Sequence, residues 1–316
     1  MINTSGYNTQ KMLSSITSQQ NQLYDLYNQI NTNNKYTNIS QNPIDAADLV
    51  RINKQLSEIE AYSRNVENAT TQINAQDEIF STIVEKMQRI NDLAIQAANS
   101  PSGEDGFNAC KVEIEELTKS VVALANTTYD GKYIFAGTNV TTQPFTMNDD
   151  GSITYAGTPY NDPEGYQRKL DISEDITIEL NSSGDKIFGT YEPADPNDPA
   201  SVDKSSGLFG VLGKLNKIMN TEPTDHLAVS GMLNDIQDSI KHISEIQSVH
   251  STTVSKLNLT QEVLDGTELT LTSRKASISE VDLTSAISQL TQMNYALQAS
   301  MTAYSMISNQ SLLDYI

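Results

Sequence analysis

The sequence predicts a mainly α protein with a β-rich insertion, in which both chain ends build an antiparallel coiled-coil or helical-bundle rod. Apolar residues recur at every seventh position from Ile52 to Ala94, as on one stripe of a coiled-coil helix. A second stripe with the same spacing, interrupted by one His, runs from Ile236 to Ile278. The segment between them differs in composition, so we expect one chain that folds back on itself. Periodicity alone does not say which helices meet.

The predicted rod core consists of the large residues on these two stripes. They are Ile52, Ile59, Val66, Ile73, Phe80, Met87, Ile243, Leu257, Leu264 and Leu271. His250 also falls on the second stripe, eight residues after His242. Metal-binding His residues on a helix usually lie three or four positions apart. We therefore expect His250 to be a partly buried structural residue.

The first 40 residues carry three charges, on Lys11, Asp25 and Lys35, and are otherwise rich in Asn, Gln, Ser, Thr and Tyr. A thin apolar stripe predicts an amphipathic helix and consists of Leu13, Ile16, Leu23, Tyr27 and Ile30. Ordering this segment costs more conformational entropy than so narrow a face returns on burial. We expect it to be disordered in the free monomer and to fold against another surface.

Helix signals follow in order along the next part of the chain. Pro43 suits a first helical turn and Asp45 suits the positive end of the helix dipole, so the long helix is expected to run from there to about Asn99. Residues 100–106 contain Pro and Gly and predict a loop. A third helix, with apolar residues at spacings of three and four, is expected over residues 107–128.

The composition changes at residue 131. Residues 131–213 hold ten of the fifteen Gly, and residues 141–207 hold six of the nine Pro with thirteen acidic and four basic residues. Short β-prone runs separated by turn residues predict a small all-β insertion, and they lie at residues 133–135, 153–155, 176–180 and 186–188. The predicted domains are residues 1–40 with 280–316, residues 41–130 with 208–279, and residues 131–207.

The C-terminal segment resembles the N-terminal one in composition. From Ala286 onward its single charge is Asp314, and an apolar stripe includes Leu290, Leu297, Met301 and Tyr304. Packing many copies side by side penalises repeated like charges. We therefore expect the two ends to pair with each other and then with neighbouring copies.

The totals argue against several function classes. A net charge of −20 disfavours binding to nucleic acid or to an anionic membrane. No apolar run approaches the ~18 residues of a membrane span, and no cleavable signal peptide is recognisable at the start. Cys110 is the single Cys and lies on an apolar stripe, which predicts a buried residue. No catalytic, cofactor or metal motif is present, so we expect a protein that is not an enzyme.

Short motifs carry a resemblance to a known family. Five segments are similar to bacterial flagellin and its relatives. They are residues 93–99, 124–127 (Leu-Ala-Asn-Thr), 131–138 (Gly-Lys-Tyr-Ile-Phe-Ala-Gly-Thr), 144–145 (Pro-Phe) and the ending 311–316. Residues 135–138 are the most specific and resemble the hook–filament junction proteins, the third hook-associated proteins. The resemblance covers about residues 1–145 and 235–316 and leaves the fold and role of residues 146–207 open.

The resemblance implies an extracellular structural adaptor at the hook–filament junction. Such a protein is secreted unfolded by the flagellar type III exporter and forms a ring with copies of itself. Its implied partners are the first hook-associated protein, flagellin and an export chaperone. The implied assembly residues are Leu13, Ile16, Leu23, Tyr27, Ile30, Leu290, Leu297, Met301 and Tyr304. The implied chaperone site is Leu290, Leu297, Met301, Leu312 and Leu313.

Two other functions are compatible with the sequence. A short flagellin would share the helical ends and the rod, although residues 135–138 argue against it. A secreted adhesin would use the acidic β insertion to bind a surface ligand.

Overall fold

The computed structural model describes residues 2–36, 38–99, 103–148, 150–162, 165, 168–180, 183–194, 203–221 and 226–313. Its helices are α1 (Ile2–Thr32), α2 (Pro43–Ala98), α3 (Gly103–Ala125), α4 (Gly184–Phe188), α5 (Gly207–Thr221), α6 (His226–Gly231), α7 (Leu233–Ser279) and α8 (Leu283–Leu313), with a 3₁₀ turn at Ile39–Gln41. Its strands are β1 (Thr128–Tyr129), β2 (Lys132–Tyr133), β3 (Phe145–Met147), β4 (Ile153–Tyr155), β5 (Lys169–Ser173) and β6 (Ile176–Glu179). The predicted class, mainly α with a β-rich insertion, is confirmed.

The chain divides into two compact units. Unit 1 comprises Met1–Glu60 and Asp265–Ile316, and unit 2 comprises Ala61–Leu264. This division differs from the three predicted domains. Unit 2 contains the insertion because the insertion shares its hydrophobic core with α2, α3, α5 and α7.

Unit 1 joins the two ends of the chain. α1 and α8 pack against each other, and the Lys35 backbone N–H donates to the Ser279 carbonyl at 2.7 Å. Asn42 caps α2, because its side-chain oxygen accepts from the backbone N–H groups of Ile44 and Asp45 at 3.2 and 3.3 Å. The Tyr36 hydroxyl donates to the Asp45 carboxylate. The Asp45 carboxylate predicted for the helix dipole thus also fixes the segment that precedes the helix.

The part of α2 in unit 2 runs antiparallel to α7. Ser63 bonds Gln261 at 2.7 Å, and Ser81 bonds Gln247 at 3.0 Å, so residue numbers rise along one helix as they fall along the other. Leu271 on α7 is half-buried. The other large residues predicted for the rod core are all buried, and they are Ile52, Ile59, Val66, Ile73, Phe80, Met87, Ile243, Leu257 and Leu264.

The strands form three separate antiparallel hairpins, β1–β2, β3–β4 and β5–β6. Asp130 and Gly131 connect the first at φ values of 50° and 71°, a conformation that favours Asn, Asp and Gly in tight hairpin turns. The third has a register shift between Asp171 and Ser173.

Two predicted elements are wrong. The run at residues 186–188 lies in α4 rather than in a strand. Ile187 and Phe188 are consecutive and both buried, whereas a strand points successive side chains to opposite faces.

Residues 103–106 belong to α3 rather than to a loop. Glu104 and Asp105 occupy the first turn of α3, where acidic side chains interact favourably with the helix dipole. Residues 100–102 lie outside the described part of the chain.

Phenylalanine rings from distant segments form the centre of unit 2. Phe135 lies 5.6 Å from Phe80 of α2 and 5.0 Å from Phe188 of α4, between ring centroids. Phe145 of β3 lies 4.8 Å from Phe209 of α5, and all five rings are buried. The range 131–207 is therefore part of a shared core, and its removal would expose the apolar face of α2.

The close packing of α5 gives a testable prediction. A Cβ at Gly213 would lie 2.0 Å from Cγ of the buried Tyr191, so we expect Gly213→Ala to lower the free energy of unfolding by about 1–3 kcal/mol. Gly266 on α7 has open space instead, and Gly266→Ala should raise stability by up to about 1 kcal/mol. Urea unfolding of both variants measures the difference. Equal effects would contradict the packing at Tyr191.

Candidate assembly surfaces of the terminal helices

The inner face of α8 is a regular stripe. Ala286 is buried, and the half-buried Leu290, Met293, Leu297 and Tyr304 follow it at helical spacing. On α1, Ile16 is buried, and Leu23 and Ile30 are half-buried. The two helices pack against each other, so these predicted assembly residues lie within the intramolecular helix pair.

The same two helices also carry exposed apolar side chains. Leu13, Tyr27 and Met301, which were predicted for assembly, are exposed by 46%, 42% and 52%. The predicted set thus contains two groups, one packed within the pair and one facing solvent. The side chains of Leu312 and Leu313 lie outside the described residues, so their part in a chaperone site stays a prediction.

The exposed group has further members that the sequence analysis did not include. Tyr24 on α1, and Ile287 and Tyr295 on α8, are more than half exposed. Tyr is favoured at protein interfaces because it combines a large apolar ring with a hydroxyl. The signal in the sequence was a set of large apolar and aromatic side chains in segments almost free of charge.

Side-chain caps fix the start of α8. The Asp282 carboxylate accepts from the backbone N–H groups of Thr284 and Ser285 at 3.0 and 3.2 Å. Asn33, which follows α1, adopts a φ of 53°, a region that Asn tolerates better than most residues. Its carbonyl accepts from the Val281 N–H at 3.4 Å. These contacts hold the end of α1 beside the start of α8.

The small extent of burial on α1 is compatible with the prediction that the chain ends are disordered in the free monomer. Ile16 is the one large apolar side chain of α1 that is buried, among those that the structure describes. We expect trace protease to remove about forty residues from each end of the purified chain and to leave a stable core. Mass spectrometry of the fragments reads the cleavage points. Ends that resist digestion would contradict the expected instability.

His250 of α7 faces α2 at a position where the seven-residue stripe is otherwise apolar. Its ring centroid lies 5.3 Å from that of Phe80, and its buried Nδ1 has no hydrogen-bond partner among the described residues. Burial lowers the pKa of His250 below the ordinary value of 6.5, and the charge of Asp77 opposes this shift in part. The imidazole is therefore held neutral, which agrees with a structural role.

This shift predicts an acid-sensitive contribution to stability. Because the folded pKa of His250 is lowered, its contribution is complete above pH 6.5 and is lost as pH falls towards the folded pKa. We expect His250→Leu to flatten the fall in unfolding free energy below pH 6.5, measured by denaturant titrations at several pH values. An unchanged slope would assign the acid sensitivity to other groups.

Metal-ligand clusters and membrane-spanning helices are absent from the described residues. No group of three or more His, Cys, Asp or Glu side chains in the described part of the chain is arranged to hold a metal ion. Within the same residues, every helix is too short or too polar to cross a membrane. Cys110 is buried, as predicted, and is a free thiol.

Known proteins resemble this chain in sequence and in fold. The family model of the bacterial flagellin N-terminal helical region matches residues 2–140. Flagellar hook-associated protein 3 of Escherichia coli (strain K12) is 23% identical over 312 residues, which is 96% of each chain. Flagellin of Bacillus subtilis (strain 168) is 20% identical over 268 residues, 81% of this chain and 80% of that protein.

A solved structure gives the same result for the fold. The crystal structure of flagellar hook associated protein-3 from Legionella pneumophila has a TM-score of 0.60 at 16% identity and covers 72% of this chain and 98% of its own. The family match covers α1–α3, and the similarity to hook-associated protein 3 covers nearly the full length of both chains. The chain is therefore similar to bacterial flagellins over its N-terminal helices and to hook-associated protein 3 over most of its length.

Proposed function

We propose that this protein is a structural adaptor of the bacterial flagellum that forms the ring at the hook–filament junction. The observation that carries the proposal is its similarity to hook-associated protein 3 over 96% of both chains. The similarity to flagellin covers less of the chain and has lower identity. A structural role also agrees with long paired helices that carry exposed apolar side chains.

The terminal helices supply the surfaces that such a ring requires. α8 carries no charged residue, and α1 carries Lys11 and Asp25. In a chain with a net charge of −20, contacts between copies through acidic surfaces would be repulsive. Ring formation is therefore expected to use α1 and α8, with the exposed Leu13, Tyr27 and Met301 at the contacts.

The proposed partners follow from the position of the ring. They are the first hook-associated protein on the hook side, flagellin on the filament side and further copies of this chain at the flanks. Before export, a flagellar chaperone would cover α8 and keep its apolar side chains out of water. Because Leu290 and Leu297 lie on the face that packs with α1, this chaperone would have to displace α1. Export through the flagellar type III apparatus would then deliver the chain to the cell exterior.

A deletion strain of the source bacterium tests the proposed function. We expect cells without this gene to make hooks that lack filaments and to release flagellin into the medium, as seen by electron microscopy and immunoblotting. Complementation with the intact chain is the control. Hooks that still carry filaments would overturn the proposal. Hooks that lack filaments, with no flagellin in the medium, would favour the short-flagellin alternative, because the deleted chain would itself be the flagellin.

A further inference from the structure

A small polar cleft lies over α2 in unit 2, where the β1–β2 and β5–β6 hairpins approach this helix. Its volume is about 210 Å³. The lining includes Asn68 of α2, Tyr129 and Lys132 of the first hairpin, and Arg168 and Leu170 at the start of the second. Pockets for drug-sized ligands measure about 300–1,000 Å³, so this cleft suits a smaller ligand, of the size of one sugar ring.

Two amide side chains fix the floor of the cleft. Asn65 donates to the Asp171 carbonyl at 2.7 Å, and Gln72 donates to the Leu180 carbonyl at 3.3 Å. These bonds attach the β5–β6 segment to α2. Asn68 shares the helix face of the two anchors, because the three residues are spaced by three and four. Its exposed amide has no partner among the described residues, and a fixed floor lowers the entropic cost of binding a ligand there.

Two cations of the cleft also lack a partner. Lys132 and Arg168 are exposed, and neither forms an ion pair with a described residue. Among the described residues that line the cleft, Asp130 is the one acid. The whole chain has 40 acidic and 20 basic residues, so the cleft reverses the charge balance of its surroundings. Its charge therefore favours an anion.

The uncharged groups of the cleft indicate which kind of anion fits. Tyr129 is half-buried and pairs with Lys132 across the hairpin, which places the ring and the ammonium group on one face. A Tyr ring offers apolar surface, and its hydroxyl and the Asn68 amide can bond hydroxyl groups. Arg binds carboxylates through two parallel hydrogen bonds. A sugar ring that carries a carboxylate combines these features, whereas a small inorganic anion lacks the ring.

We propose that the cleft over α2 binds a hexuronate, which is a six-carbon sugar with a carboxylate. Arg168 and Lys132 bind the carboxylate. The Tyr129 ring packs on the sugar ring, and Asn68 bonds its hydroxyl groups. The site uses no residue of α1 or α8, so it adds a binding function to the proposed adaptor role and does not depend on it.

Saturation-transfer NMR on the purified full chain tests the site, with sodium glucuronate as the probe. We expect a Kd of about 1 mM, as for a small ligand in an open cleft. Glucose lacks the carboxylate and acetate lacks the ring, and each should bind about tenfold more weakly or worse. No glucuronate binding up to about 10 mM, or equal binding of either control compound, would overturn the proposal.

Matched substitutions locate the bound sugar. We expect Arg168→Gln to weaken glucuronate binding about tenfold or more, because the carboxylate loses its charged donor. Lys169→Gln is the control and should leave the Kd unchanged. Lys169 is also exposed, it does not line the cleft, and successive residues of an extended segment point to opposite faces. Equal effects of the two variants would overturn the assignment of the carboxylate to Arg168.

A second pair of variants tests the floor. Asn68→Asp adds a carboxylate beneath the ligand and should weaken glucuronate binding about tenfold or more through like-charge repulsion. Asn74→Asp adds the same charge to an exposed position of α2 outside the cleft, and it should bind as the unchanged chain does. Circular dichroism checks that all variants keep the fold. Undiminished binding by folded Asn68→Asp would contradict a ligand over α2.

Discussion

Replacing Phe135 with Ala is expected to lower the free energy of unfolding of unit 2 by about 3–5 kcal/mol. The ring contacts Phe80 and Phe188 at centroid distances of 5.6 and 5.0 Å and has no exposed surface. Its removal leaves a cavity at the point where α2, α4 and the segment after β2 meet. The side chains around this cavity are closely packed and cannot easily move to fill it. Guanidinium unfolding followed by circular dichroism measures the loss.

Two variants control this experiment. Phe135→Leu keeps most of the apolar volume and should cost less than half as much. Leu259→Ala removes a side chain that is 63% exposed on α7, and it should change the unfolding free energy by about 0.5 kcal/mol or less. If Phe135→Ala behaved like Leu259→Ala, the aromatic centre would not be what stabilises unit 2. The role of residues 135–138 would then have to be sought at the surface.

The heptad spacing predicted the long helices well because residues with this spacing lie on one face of a helix. Side chains seven residues apart return to nearly the same side of a helix, so Ile52 to Ala94 identified a stripe that the structure buries at all seven positions. The same rule placed His250 in the seam. Length also helped, because α2 runs through 56 residues without an internal Pro or Gly.

The insertion was predicted less well because short apolar runs do not specify their structure. Residues 186–188 contain β-prone side chains, yet α4 buries both Ile187 and Phe188. The hairpins of the predicted all-β segment do not join into one sheet, and Phe145 and Ile153 of the β3–β4 hairpin belong to a core that they share with helices. Contacts such as Phe80 with Phe135 join residues far apart in the chain, and local sequence does not report them.

For the terminal helices, the sequence did not predict which apolar side chains are buried and which are exposed. The stripes of α1 and α8 were visible in the sequence, but periodicity gives a direction for each side chain and not the partner that it meets. Ile16 and Leu13 belong to one predicted stripe, and the structure buries the first and exposes the second.

Replacing Leu297 with Asp is expected to prevent filament attachment while leaving unit 2 folded. Leu297 is half-buried on the α8 face that packs with α1. A carboxylate there would lose water without gaining a cation, since α8 has none and α1 offers Lys11 alone. We expect a loss of about 2 kcal/mol in the pairing of the two helices, enough to separate helices that bury so little surface.

Gln298→Asp is the matched control for this variant, because it adds the same charge to the next residue of α8, which is exposed. We expect Gln298→Asp cells to carry filaments and Leu297→Asp cells to lack them, with equal thermal melting of the protease-resistant core. The amount of protein in the cytoplasm separates two causes. A variant that is degraded before export has lost its chaperone, whereas one that reaches the medium intact has lost assembly. Filaments on Leu297→Asp cells would mean that the α1–α8 pair is not required at the junction, and the contacts between copies would then have to lie elsewhere on the chain.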